Sequence, residues 1–422
     1  MNILFIHQNF PGQYKHLAPA LVRQGHNVKA LAVNSQVGSF WQGVNVIKYT
    51  PTRRSTPNLH PWLIDTETKV IRGEAVYMAA LQLKKSGFHP DAVIAHPGWG
   101  ESLFIKEVWP SARLGLYFEF FYHAEGADVG FDPEFDQQDD LLRPRMRAKN
   151  FNNLLHLDLA DAGLSPTVWQ ASTFPNAYQR KITVIHDGID TNVLSPNPNA
   201  SLQLTLGSGQ KLLLTAKDEL ITFVNRNLEP SRGYHQFMRA LPAILRQRPT
   251  AQVLIVGGDG VSYGARPDPA RFGARTWKQI FIDEVSDQIG MADWHRVHFL
   301  GRVPYPQFIA LLQISRVHVY LTYPFVLSWS FLEAMSVGCA IVASDTAPVK
   351  EAIKDGERGR LVDFFNHDNM AEEVCSLLDD AKERRRLGEN AREFATQHYD
   401  LKSVCLPRQL QWIKEELVSN AN

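Results

Sequence analysis

The sequence predicts an α/β protein built from two doubly wound domains. Strand-length apolar runs alternate with helical patterns along the chain, and the alternation breaks once, at a Pro-, Asn-, Ser- and Gly-rich stretch, before starting afresh. The length of 422 residues, too great for one ordinary domain, agrees. A composition 44% hydrophobic and 21% charged is that of a core-forming chain. Lys+Arg and Asp+Glu both number 44, and this zero net charge argues against a nucleic-acid binder, which needs a basic excess to neutralise phosphates. Cys339, Cys375 and Cys405 have no metal-ligand spacing and fit a reducing compartment. "MNILFIHQNF" reads as a strand and not as a signal peptide. No apolar run approaches the ~18–20 residues of a membrane span, so a soluble, cytoplasmic protein is expected.

In order, "NILFIHQ" is a buried parallel strand, because its apolar run is nearly continuous. "GQYKHLAPALVRQG" has helical spacing and stops at Gly25, and "HNVKALAV" completes a βαβ unit. "DAVIAHPG", "ARLGLYFEF", "DAGLSP" and "KITVIHDGID" are later strands or strand ends. Residues 194–219, with a weak hairpin, are the expected linker, dividing the chain into domains 1–195 and 196–402. Beyond it "LITFVNRN", "AQVLIVGGDG", "RVHFLGRV", "RVHVYLTY", "GCAIVASD" and "GRLVDF" are strands, and "LKSVCLPRQLQWIKEELV" is an amphipathic helix. Two such domains imply a cleft, with ligands at the carboxyl ends of the strands.

"YPFVLSWSFLEAMSVGCAIVASD" carries the most chemistry. A strand ends near Tyr323, a helix begins near Ser330, and Glu333 stands alone in an apolar run. Ser330 and Glu333 fit S-x-x-E, a capping box satisfying backbone N–H groups at the helix start. The same helix start suits an anion, and Glu333 can accept hydrogen bonds from ribose hydroxyls. In "HQNFPGQ", Gln8 and Asn9 follow the first strand, and Gly12 permits close approach of backbone to a ligand. It is one glycine and not the three-glycine dinucleotide fingerprint, which excludes a nicotinamide oxidoreductase. "AHPGWGE" (His96, Trp99, Glu101) has the polar and aromatic mix of a sugar-binding loop, with Trp99 as a core residue the alternative. "LYFEFFYHAEG" puts Glu119, Tyr122 and His123 at a strand end. No D-x-D motif and no His/Cys cluster occurs, so no metal is expected.

"LEAMSVGCAIVASD", "LITFVNRNLEPSRGYHQFMRAL", "VLIVGGDG", "VHFLGRV", "VIHDGID" and "KEAIKDGERGRLVD" resemble, segment by segment, the retaining glycosyltransferases of the GT-B fold, in particular family 4. "HQNFPGQ", "AHPGWGE" and "FEFFYHAEGADVGFDPEF" resemble a bacterial subgroup of that family. The resemblance implies a C-terminal domain that binds a nucleotide diphosphate sugar and an N-terminal domain that binds the acceptor, with the helix of residues 403–422 packing back on the latter. It puts Arg226 and Arg232 (where Lys is usual) on the diphosphate, and the backbone around Gly301, Arg302 and Val303 on the base. Glu333, Ser328, Trp329, Ser330 and Gly12 join the donor site. Either Glu119 or His123 faces the donor sugar, and Gln8, Asn9, His96, Trp99 and Tyr122 meet the acceptor. Phe325 stands where the family has its first Glu, eight residues before Glu333. "VLSWS" replaces the usual Gly-rich turn.

The expected function is transfer of a hexosyl group from a UDP- or GDP-type sugar with retention of configuration, in polysaccharide or glycoconjugate synthesis. The alternative is a catalytically silent nucleotide-sugar-binding protein. No cofactor is expected beside the sugar nucleotide. The expected partners are that donor, a carbohydrate or glycoconjugate acceptor and a peripheral membrane contact, but no nucleic acid.

Overall fold

The computed structural model describes residues 1–35, 37–135, 139–205, 209 and 211–418. The chain divides into two units, Met1–Gly188 with the segment from Leu401 onward, and Ile189–Asp400. The fold is GT-B in kind: two Rossmann-like α/β units, each around a parallel sheet.

The first unit holds β1 (Asn2–Ile6), β2 (Asn27–Ala32), β3 (Phe40–Trp41), β4 (Val44–Lys48), β5 (Ala92–Ala95), β6 (Arg113–Tyr117), β7 (Ala162–Ser165) and β8 (Ile182–Val184), in the order β3-β4-β2-β1-β5-β6-β7-β8. Only the β3–β4 pairing is antiparallel. Ile3 and Phe5 of β1 enter one apolar layer, Leu4 and Ile6 the other, which is why its sequence is continuously apolar. The returning C-terminal segment completes the first of these layers with Trp412, Ile413 and Leu417. Gly115 in β6 makes room for it: a Cβ there would lie 2.6 Å from Trp412 and 2.8 Å from Leu417.

The second unit opens with a hairpin, β9 (Ser201–Thr205) and β10 (Lys211–Thr215), that sends Leu202 and Leu214 into its core. Residues 194–219, expected as a linker, therefore belong to this unit; a buried hairpin face outweighs the turn-rich composition. The junctions fall instead at Gly188–Ile189 and Asp400–Leu401. They fall there because Ile189 bonds to the Tyr399 carbonyl (2.8 Å) and Leu194 is buried in the second core. β11 (Leu220–Asn227), β12 (Gln252–Gly258), β13 (Val297–Gly301), β14 (Val317–Tyr320), β15 (Ala340–Ser344) and β16 (Arg360–Val362) form an all-parallel sheet, β13-β12-β11-β14-β15-β16.

Each sheet has a point where the strand order reverses, at β1/β5 and at β11/β14. Open α/β sheets bind ligands just outside the carboxyl ends of the strands at such points. No helix of the described residues is long and apolar enough to cross a membrane.

Candidate functional site

At the reversal point of the second sheet, the turn after β11 is fastened to the chain leaving β14. Arg232, 6% exposed, reaches across: its Nη1 donates to Thr322 Oγ1 (2.7 Å), the Val326 carbonyl (3.0 Å) and the Tyr320 hydroxyl (3.5 Å). The Tyr323 N–H donates back to the Ser231 carbonyl at 3.0 Å. Gly233 then turns the chain with φ +68°, and a Cβ there would lie 2.2 Å from that of Leu321, so the turn requires glycine. Arg226 is exposed at the end of β11, and its side chain makes no ion pair among the described residues. The expected matched clamp is thus two different things. Arg232 braces the loop from inside, and Arg226 is presented to solvent.

Sequence reasoning missed a second layer around these arginines. Glu229, 1% exposed, accepts hydrogen bonds from the backbone N–H groups of Ser262 (3.1 Å), Tyr263 (3.3 Å) and Gly264 (3.3 Å). The loop it holds lays the Tyr263 ring 5.0 Å from the Arg232 guanidinium. Phe325, 7% exposed, packs its ring 5.1 Å from that of Tyr263, so it is part of an aromatic wall and not a polar ligand. Asn227 donates to Ser262 Oγ (2.7 Å) and accepts from Arg302 (3.4 Å), tying in the exposed turn after Gly301. Gly301 itself has φ +61°, and Val303 packs against the second core. The one available signal was a Glu before Pro in "LEPSRG", immediately after a buried strand.

Glu333 is not half of a capping box. The helix Trp329–Val337 starts before Ser330; Ser328 is its N-cap and makes no side-chain cap bond. Glu333 therefore falls a full turn inside the helix, out of reach of its first N–H groups. Its Oε1 accepts from the Tyr305 hydroxyl at 2.8 Å, and burial together with this carboxylate raises the Tyr305 phenol above its usual range. Ser328 and Ser330 share a hydroxyl bond of 2.6 Å, the Ser328 N–H donates to the Tyr320 hydroxyl (3.1 Å), and Trp329 is exposed.

At the reversal point of the first sheet, polar groups stand among aromatic rings. His7 follows β1; its Nδ1 accepts from the Asn9 N–H (3.0 Å) and its Nε2 donates to Gln13 Oε1 (2.7 Å). Burial, with His96 beside it, lowers its pKa to about 3, so it is neutral. Gly12 (φ +48°) exists for this ring: a Cβ would lie 2.3 Å from His7 Cε1. The expectation that Gly12 leaves room for a ligand is corrected, since the imidazole fills that room. His96 follows β5, with Tyr117 (5.4 Å) and Trp99 (4.5 Å) against its ring. Its Nδ1 accepts from the Gly98 N–H (3.1 Å), and its Nε2 lies 3.6 Å from Glu119 Oε2. Glu101 is fully buried beneath, bonded by the Tyr49 hydroxyl, and burial pushes its carboxyl up to about 7.

Residues 24–194 match the family model described as "Glycosyl transferase family 4 group", and residues 209–394 match "Glycosyl transferases group 1". The chain belongs with the GT-B glycosyltransferases of the family 4 type. Its curated relatives include the D-inositol 3-phosphate glycosyltransferases of Corynebacterium glutamicum (24% identical, over 61% of this chain and 58% of the relative) and Mycolicibacterium smegmatis (25%, over 54% and 48%). The chain thus spans about half the length of these relatives. Among solved structures it is similar in fold to Anabaena HepE in complex with UDP and glucose (17% identical, TM-score 0.65, 98% of this chain and 99% of that one). It is also similar to sucrose-phosphate synthase from Thermosynechococcus elongatus (16%, TM-score 0.70, 98% of each).

Arg226, Arg232, Gly301, Arg302, Phe325, Ser328, Trp329, Ser330 and Glu333 all fall in the second unit, on segments that begin at the carboxyl ends of β11, β13 and β14. Gln8, Asn9, His96, Trp99 and Glu119 likewise follow β1, β5 and β6 in the first. His123 and Tyr122 are anchored apart from them. His123 Nε2 donates to the Thr173 carbonyl (2.7 Å), while Tyr122 exchanges backbone bonds with the Asn150 side chain (3.0 and 2.7 Å) under Lys149, 3.9 Å from its ring. Of the two candidates left open, Glu119 is the one beside His96.

Proposed function

We propose that the protein transfers a hexosyl group from a UDP- or GDP-type sugar to a carbohydrate or glycoconjugate acceptor, with retention of configuration, in polysaccharide or glycoconjugate synthesis. The observation that carries the reading is the loop after β11, fastened by Arg232 to the segment that opens the helix Trp329–Val337, with Arg226 exposed at the strand end. A leaving diphosphate gathers negative charge, and preplaced guanidiniums and a helix start stabilise it without reorganising. Arg226 makes the direct contact, Arg232 supplies charge and fixes the loop, and Glu333 accepts from the ribose. The UDP and UDP-glucose complexes of the similarly folded Anabaena HepE support this donor class. The first unit takes the acceptor. Because arginines and a helix dipole meet the diphosphate, turnover persists in EDTA.

The test is a thermal-shift panel of nucleoside diphosphates and their sugars, followed by NMR of the released sugar. At a hundredfold excess over Kd a native-state ligand adds about 2.7 kcal/mol. For a domain of this size that is roughly 5–10 °C. Retained configuration in the first product is expected; an inverted product rejects the proposal. A second reading, binding without transfer, is favoured by Phe325, whose ring stands in the wall beside Arg232 where the resemblance puts a Glu. A clear nucleotide shift with neither transfer nor donor hydrolysis selects it.

A further inference from the structure

We propose that Tyr263 is a donor-binding residue whose phenol O–H bonds the diphosphate beside Arg232, and that Glu229 acts through it by fixing its position. The inference rests on the glycosyltransferase reading above and adds to its donor side a residue on a loop that no sequence pattern marks. The loop after β12 is pinned residue by residue. Asn227 donates to Ser262 Oγ at 2.7 Å, Glu229 accepts from the N–H groups of Ser262, Tyr263 and Gly264, and Trp277 Nε1 donates to the Ala265 carbonyl at 2.9 Å. Glu229 is 1% exposed, and a buried carboxylate bonded to consecutive backbone N–H groups leaves that backbone little freedom.

The residue held this way is a tyrosine with an unused hydroxyl. Tyr263 is 43% exposed, with the Phe325 ring 5.1 Å and the Arg232 guanidinium 5.0 Å from its own ring. Among the described residues its hydroxyl makes no hydrogen bond, whereas the polar groups around Arg232 are engaged: the Thr322 and Tyr320 hydroxyls and the Ser328 N–H. The Tyr263 phenol acts electrostatically on that of Tyr320, which in turn takes the Ser328 N–H at the start of the helix Trp329–Val337. Arg232 bonds through Nη1 alone, so its Nε and Nη2 keep their hydrogens unspent among the described residues. A phenol O–H, spare guanidinium N–H groups and a helix start are all donors, and they stand close together. The ligand that satisfies them at once is an anion with several acceptor oxygens, which a diphosphate is and a sugar or a base is not.

The experiment titrates the full chain with UDP, GDP, UDP-glucose and GDP-mannose by calorimetry, and with uridine and guanosine by saturation-transfer NMR. Whichever diphosphate binds the wild type, Tyr263→Phe is expected to weaken it about ten- to hundredfold, the scale of a hydrogen bond to a charged group. The matching nucleotide sugar weakens by the same factor, and the matching nucleoside does not change. The melting temperature of the ligand-free protein also stays unchanged, because the ring remains on Arg232 and the lost hydroxyl bonds nothing in the folded chain. Glu229→Gln weakens the diphosphate too, but adds little on top of Tyr263→Phe, a coupling that general loosening of the fold does not produce. Equal diphosphate affinity in Tyr263→Phe, a loss confined to the nucleotide sugar, an equal loss for the nucleoside, or additive losses in the double variant overturn the proposal. The transferase reading then still stands on the diphosphate that the wild type binds. Binding of neither diphosphate takes both down.

Discussion

Arg232 is the residue whose role the structure changes most, and replacing it separates bracing from charge. Its two good hydrogen bonds, to Thr322 Oγ1 at 2.7 Å and to the Val326 carbonyl at 3.0 Å, are charge-assisted, and the third at 3.5 Å counts for little. Bonds of that kind are worth about 1.5–3 kcal/mol each, less what is recovered by no longer burying a cation. Arg232→Met is therefore expected to destabilise the second unit by roughly 2–4 kcal/mol. That is a fall of about 5–15 °C at 2–4 °C per kcal/mol. Arg232→Lys keeps one ammonium for the same two acceptors and loses mainly the stacking on Tyr263, so about 1 kcal/mol is expected. The assay is differential scanning calorimetry, in which the transition of the second unit is the one that a bound nucleoside diphosphate raises. If Arg232→Met melts within a degree of wild type while nucleotide affinity falls, the brace is wrong and Arg232 acts on the ligand alone.

Two further outcomes follow from buried titratable groups and from the Tyr305–Glu333 pair. Burial holds His7 and His318 at about 3, and His156 and His186 at about 4, so between pH 6.5 and 4 the unfolded chain binds protons the folded one refuses. Their contribution is present above pH 6.5 and lost on acidification, at up to ~5 kcal/mol per pH unit if all four act together; urea unfolding from pH 7 to 5 measures the slope. Glu101, raised to about 7, has the opposite sign: the folded state holds its proton between pH 4.5 and 7, and stability falls as pH rises through that window. Glu101→Gln should remove this slope and be more stable than wild type at pH 8 by on the order of 3 kcal/mol, and equal stability there argues against the assignment. Tyr305→Phe removes the hydroxyl that competes for Glu333 Oε1 and is expected to strengthen nucleotide binding a few-fold, whereas Glu333→Gln weakens it at least tenfold with little change in melting temperature. Unchanged affinity in both leaves Glu333 with a packing role only.

Much of the fold was legible because buried parallel strands are written as continuous apolar runs: all six strands of the second sheet were readable. The short edge pair β3–β4 was not, because its exposed Phe40 and half-exposed Trp41 carry no strand periodicity. Nor was the helix Ile64–Lys85, whose buried face is largely small residues such as Gly73, Ala75 and Ala80 and gives little contrast with the rest. The hairpin Ser201–Thr215 was masked by its turn-rich flanks, although alternating Leu202 and Leu204 marked a strand with one buried face. At the site, residue types at strand ends were readable, but their partners were not. S-x-x-E fitted Ser330 and Glu333, yet Ser328, two residues earlier, is the better start. Glu229 and Tyr263 lie more than thirty residues apart, and no local pattern joins them.

Phe325 is the point where the sequence departs from the pattern it otherwise resembles, and the structure gives the departure a physical sense. It sits next in the chain to Val326, whose carbonyl receives Arg232, and its ring closes one side of Tyr263 while the guanidinium lies on that ring as well. Among the described residues Arg232 pairs with no carboxylate; its bonds are to neutral oxygens. A buried cation compensated only by dipoles and an aromatic face is expensive in the empty protein, and for that reason it gains more from an incoming diphosphate. A carboxylate at position 325 would take that charge first. Phe325→Glu is therefore expected to raise the melting temperature of the nucleotide-free protein, or leave it unchanged, by pairing with Arg232. It should weaken nucleoside diphosphate binding about tenfold or more, the cost of breaking that pair. Calorimetric titration of the variant with UDP and GDP decides the matter. Tighter binding in Phe325→Glu, with no gain in stability, would mean that the phenylalanine marks a lost ligand contact and not a charge kept in reserve.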